Sequence, residues 1–220
     1  GQDCNLNRDQ KILIFIIIVF FLITRFLGLG QIYHQDEYRW ATIVDPRFSS
    51  FGYESPHPPM LPALLKASGR VWGYDNLRLV PAILSLLNLM LIYLVSLKLN
   101  RNKNIALIAA GLFTVSVYGL IANLQIDIDG AILPFFILLS YYAYFNILER
   151  SRSKKWFVVF GLAVAGGFFT KLSYLLFVGA LIADQALRIY SAKMWSIKQV
   201  FVRLWPWLVG LLATISAFYY

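Results

Sequence analysis

Two adjacent carboxylates, Asp36 and Glu37, stand just beyond the first long apolar run, in HQDEYRWA. A carboxylate in that place can serve as a general base, taking a proton from an acceptor hydroxyl or amine while its neighbour orients it, holds a cation or binds the acceptor. The plainer alternative is an acidic pair capping a helix. His57 lies in SPHPPM, where Pro58 and Pro59 stiffen the backbone and set an imidazole at a fixed corner. That suits a metal or phosphate contact, or a structural histidine. Asp127 and Asp129 alternate in LQIDIDGAILPFF, so in extended chain they point apart and one of them faces a shared site. Gly130 beside them permits close approach of backbone or ligand; interfacial helix caps are the bland reading. Lys171 in GGFFTKLSY and Arg25 in LITRFLG are lone cations flanked by apolar residues. Each can bind a phosphate or simply snorkel to a membrane surface. Asp184, deeper in an apolar stretch, pairs either with a neighbouring helix or with Arg188 one turn on.

The elements that must carry these residues follow from composition. The chain has 220 residues, 59% hydrophobic and 14% charged, with a mean hydropathy of +0.65. Soluble domains average about 45–50% apolar and about 25% charged, so both figures point to a membrane protein. Disorder and collagen-like repeats are excluded, and the single cysteine, Cys4, excludes a disulfide scaffold. The pattern predicts an all-α, polytopic membrane fold occupying residues 1–220 as one domain. Apolar runs fall at 12–24 (extending to about 29), 79–97, 104–122, 130–148, 156–170, 172–187 and 204–220, which makes seven candidate spans. A signal peptide is the rival reading of the first run, but no small-x-small cleavage pattern follows it. The fifth and sixth meet at the Thr170-Lys171 corner, as a re-entrant hairpin or as two spans joined at the surface.

Charge supplies the orientation. With the N-terminus cytoplasmic, 13 of the 20 lysines and arginines fall on the cytoplasmic side, and 7 of the 11 acids fall outside. The net charge of +9 is then a topology signal, satisfied by anionic headgroups, and nucleic acid is not needed as a partner. The one long connection, residues 30–78, lies wholly outside. It is rich in Tyr, Trp, Phe and Pro and reads as short helices on the bilayer surface, with DEYRWATIV and PPMLPALLKASGRVW as the two best stretches. All the chemistry-bearing candidates except Asp184 gather on that side.

In that order the residues resemble a family. An arginine ends the first span (TRFLGLG), Asp-Glu follows in the first outer loop (HQDEYRWA), then His-Pro-Pro (SPHPPMLPALL). Arg-Leu-x-Pro enters the second span (LRLVPAILSLL), Asp-Gly opens the fourth (DIDGAILPFF), and Thr-Lys comes last (GGFFTKLSY). Over residues 12–190 this is similar to the membrane glycosyltransferases of the C-type fold (GT-C), nearest to protein O-mannosyltransferases and the bacterial lipid A aminoarabinose transferases. The resemblance implies inverting transfer of a sugar from a polyprenyl-phosphate donor to a protein, lipid or glycan acceptor at the outer or lumenal face. It implies Asp36 as base with Glu37 supporting it or contacting the acceptor, and Lys171 and Arg25 at the donor phosphate. His57 and Asp129 would shape the site, with Asp127, Pro58 and Pro59 secondary. No cofactor is certain; Asp36, Glu37, His57 and Asp129 together could assemble a divalent-metal site, although no ligand spacing demands one. The expected setting is a bacterial or archaeal cell membrane, or that of the endoplasmic reticulum. A transporter and a non-catalytic membrane scaffold are the competing readings. Family members usually carry more spans than seven, so the resemblance implies that residues 1–220 are the N-terminal part of a longer fold.

Overall fold

In the computed structural model, residues 6–30, 32–51, 58–122, 124–149 and 154–191 are described. His57 and the expected span at 204–220 lie outside them. The described residues are helical throughout, with no strand: α1 (Arg8–Phe26), α2 (Gln35–Val44), α3 (Met60–Trp72), α4 (Leu79–Asn100), α5 (Lys103–Val115), α6 (Val117–Ala122), α7 (Leu133–Glu149), α8 (Lys154–Phe168) and α9 (Tyr174–Ser191). A π-turn, Ile128–Ile132, runs directly into α7. Two helical stretches, Leu79–Asn100 and Ile128–Glu149, are long and apolar enough to cross a bilayer. The remaining helices occupy the expected runs but are shorter or carry charge, so two stretches rather than seven have the length and apolarity of a crossing among the described residues.

Local chemistry explains the boundaries. Asn7 opens α1 as a capping box, accepting from the Gln10 backbone N–H at 2.8 Å while the Gln10 side chain accepts from the Asn7 N–H at 3.2 Å. The Gln10 amide then donates to Asn104 at 3.0 Å, tying the start of α1 to the start of α5. Between α4 and α5 the chain reverses through Arg101, whose φ of +53° is left-handed. The run expected as one span at 104–122 breaks at Ser116. There the serine hydroxyl accepts from the Gly119 N–H at 2.9 Å and starts α6 afresh. The π-turn has its cause in Pro134, which has no N–H to offer the carbonyl four residues back and whose ring would crowd it. The wider ring closed by the Leu133 N–H on the Ile128 carbonyl avoids that conflict.

The helices pack as a bundle in which α4 lies between α5 and α7, α1 rests on α5, and α8 rests on α7. One apolar core, at the end where α1 finishes and α4 begins, joins α2, α3, the start of α4 and the π-turn through Trp40, Val44, Leu61, Leu65, Leu77 and Ile128. A second joins α7, α8 and α9 around Tyr144, Phe160 and Tyr174. Gly166 and Gly167 make the second core possible, because a Cβ on either would lie inside the ring of Phe136 or Tyr174. The first end is called the loop end below, and the opposite one, where Lys98 meets Glu149, the basic end.

Candidate functional site

The loop end is assembled by long-range bonds. Glu37, one residue into α2 from Asp36, is only 2% exposed, and both its carboxylate oxygens are taken. Oε1 accepts from Arg78 Nε at 2.9 Å and from the Ile126 N–H at 3.0 Å. Oε2 accepts from Arg78 Nη2 at 2.7 Å and from the His34 N–H at 2.8 Å. Burial alone would push the Glu37 carboxyl up, but the Arg78 hydrogen bonds and the two backbone donors outweigh it and hold the group below the usual carboxylate range. Arg78 is itself buried, donates to the Ile32 carbonyl at 3.0 Å and lies 4.9 Å from the centre of the Tyr33 ring. This one ion pair therefore joins α2, the start of α4, the segment after α1 and the chain entering the π-turn.

From Ile126 the chain leads to the second pair. Asp127 turns inward on its own backbone, accepting from the Ile128 N–H at 2.7 Å. Asp129 faces outward, and both its oxygens accept from Lys171 Nζ, at 2.7 and 2.9 Å. Here the side chains keep 45% and 31% of their exposure. Lys171 sits in the α8–α9 corner, and that corner holds the start of α3, because the Met60 N–H donates to the Phe169 carbonyl at 3.0 Å. Pro58 and Pro59 precede Met60, so the proline corner is docked beside Lys171. Asp36 is exposed in the first turn of α2, and no hydrogen bond or ion pair engages it among the described residues.

The expected set is thus partly brought together. Asp36, Glu37, Asp127, Asp129, Pro58, Pro59 and Lys171 share the loop end, and Asp129, not Asp127, meets Lys171. Arg25 is different. Expected beside Lys171 at a phosphate, it is instead 2% exposed against α5, donating to the Thr114 carbonyl at 3.0 Å and stacking 4.3 Å from the Phe21 ring centre. The reason is the helix break: Thr114 sits two residues before Ser116, where a carbonyl near the helix end needs a donor. Arg25 therefore splices α1 to the α5–α6 junction. Of the possible divalent-metal set, His57 lies outside the described residues. No cluster of three metal-ligating side chains occurs among the described residues, and Glu37 and Asp129 already have cations on both oxygens. Asp184 takes both of its expected partners, Arg188 Nε at 2.7 Å and the Tyr144 hydroxyl of α7 at 2.6 Å.

Arg78 belongs to the Arg-Leu-x-Pro motif, but sequence alone assigns it no role in the site. The signal for a role is its position, a cation at an apolar boundary with no acid within one helical turn on the apolar side. A cavity of about 730 Å³ opens beside the Glu37–Arg78 pair, lined by Thr24, Gly28, Tyr33, His34, Leu124 and Gln125 among others.

An all-helical chain with two membrane-length helices and a loop end knit by ion pairs has the fold of a known class. It matches a chain of the Saccharomyces cerevisiae protein O-mannosyltransferase Pmt1–Pmt2 complex bound to the sugar donor, with a TM-score of 0.76 over 98% of this chain and 33% of that one, at 20% sequence identity. In sequence, residues 56–220 match the family described as dolichyl-phosphate-mannose-protein mannosyltransferase. The chain belongs to that family. Among curated relatives it is similar to dolichyl-phosphooligosaccharide-protein glycotransferase 1 of Archaeoglobus fulgidus, 25% identical over 160 residues that cover 60% of this chain and 27% of the relative. The chain spans about a quarter of that relative and a third of the solved chain.

Proposed function

We propose that this chain carries the donor-facing end of a membrane glycosyltransferase, and that it transfers a mannose-type sugar from a polyprenyl-phosphate carrier to a protein, lipid or glycan acceptor. The observation that carries the reading is the contrast at α2. Glu37 is locked in four hydrogen bonds, while Asp36 beside it is exposed and unengaged among the described residues. A general base needs both properties, a fixed backbone and a free carboxylate.

In this reaction the acceptor oxygen attacks the anomeric carbon as its proton passes to the Asp36 carboxylate. The new C–O bond forms opposite the breaking bond to the carrier phosphate, so configuration inverts. The carrier leaves as polyprenyl phosphate, and Asp36 then returns its proton to water. Negative charge grows on the departing phosphate oxygen, where the Lys171 ammonium, oriented by Asp129, stabilises it. The loop end faces the outer or lumenal side, in keeping with the excess of lysine and arginine at the other end. Asp184, the acid within an expected span, is engaged by Arg188 and by the Tyr144 hydroxyl, which favours a structural role for it over one in transport.

The test is mannose transfer from dolichyl phosphate mannose by the full-length protein in vesicles, wild type against Asp36→Asn. Loss of the base is expected to slow transfer by at least about 100-fold. Transfer at the wild-type rate would remove Asp36 from the mechanism.

A further inference from the structure

The middle of α4 carries an amide that its surroundings do not explain as a stabilising group. Asn88 is 1% exposed, and its Nδ2 donates to the Ala131 carbonyl of the π-turn at 2.9 Å. Among the described residues its Oδ1 has no partner, and neither does the hydroxyl of Ser85, fully buried one turn earlier on the same helix. Leaving a buried polar atom without a partner costs more than a single neutral hydrogen bond returns. A leucine at position 88 would avoid the desolvation cost. What Asn88 supplies is therefore a fixed distance between α4 and one particular carbonyl.

That carbonyl is two residues from Asp129, within the turn that Pro134 forces out of α-helical register. A π-turn has poorer intrinsic support than the α-helix it interrupts, and the outward aspect of Asp129 depends on it. We infer that Asn88 is a positioning residue for the donor contact: by holding the Ala131 carbonyl it sets the π-turn, the π-turn sets Asp129, and Asp129 aims the Lys171 ammonium. This rests on the proposed role of Lys171 at the donor phosphate.

The experiment compares Asn88→Leu, Ser85→Ala, Asn88→Gln and Lys171→Ala in the full-length protein, measuring KM for dolichyl phosphate mannose, KM for the acceptor, and kcat. Asn88→Leu is expected to raise the donor KM about fivefold, equivalent to about 1 kcal/mol, with the acceptor KM unchanged. Ser85→Ala, in the same seam, should leave both KM values at wild type. Asn88→Gln, which keeps an amide N–H, should recover part of the donor KM. In Lys171→Ala, itself raised in donor KM, adding Asn88→Leu should have little further effect, since both changes act on one contact.

A merely structural asparagine gives a different pattern. Its loss lowers the fraction of folded enzyme, and so the apparent kcat, while both KM values stay put; that result overturns the inference. So does a wild-type donor KM in Asn88→Leu beside a raised one in Lys171→Ala, and in that case the donor role of Lys171 stands. Wild-type donor KM values in both variants overturn the two together.

Discussion

The loop end contains two carboxylate–cation pairs of the same chemistry and opposite setting. Glu37–Arg78 is buried, its two side chains 3% and 7% exposed, and every carboxylate oxygen has two donors. Asp129–Lys171 keeps 45% and 31% exposure. A buried pair cannot exchange its partner for a ligand without stranding a charge, whereas an exposed one can do so at little cost. The comparison divides the labour: the first pair holds the loop end together, and the second is the one the proposed reaction would use. It also explains why adjacent acids differ, since Glu37 spends its carboxylate on the scaffold and Asp36 does not.

Breaking the buried pair should have the largest effect. Arg78→Ala leaves the Glu37 carboxylate without its cation and is expected to cost about 3–5 kcal/mol of folding stability, read as a lowered unfolding temperature in detergent.

A gentler break uses acid. Because the folded Glu37 carboxyl is held below its unfolded value, its contribution is fully present above about pH 4.3. It is lost as pH falls through the lower, folded value, since the unfolded chain then binds the proton more readily. Wild-type stability should therefore drop on acidification in that window, and Glu37→Gln should flatten the drop; an unchanged acid limb in Glu37→Gln would assign it to other carboxylates.

The exposed pair should be the least sensitive. Lys171→Ala is expected to change folding stability by about 1 kcal/mol or less while raising the donor KM, a separation of stability from function that the Arg78 variant cannot show. A large fall in unfolding temperature for Lys171→Ala would erase the contrast between the two pairs.

What could be read from the chain and what could not separate along the same line. Helix positions followed from apolar runs and their punctuation, so α2 and α3 fall where DEYRWATIV and PPMLPALLKASGRVW place them. The alternation of Asp127 and Asp129 sufficed to say that the two point apart, and Asp129 is the one that meets Lys171. The breaks were less visible: Ser116 divides a run that hydropathy treats as continuous, because one hydroxyl and the remote Arg25 take over backbone groups that a window average does not see. Partner choice was least visible of all. Glu37 finds Arg78 across 41 residues of chain, and nothing local to either residue names the other. Arg25 shows the converse hazard, a cation placed by motif order at a phosphate and by packing under a helix end.

The joint between the Met60 N–H and the Phe169 carbonyl is made wholly of main chain. Side chains at those two positions can drift without cutting it, and only proline at position 60 would remove the donor outright. Selection on the bond therefore leaves almost no trace in residue identity. A joint of this kind can persist through deep divergence, keeping the proline corner beside the Thr170-Lys171 turn in descendants whose sequences no longer say so.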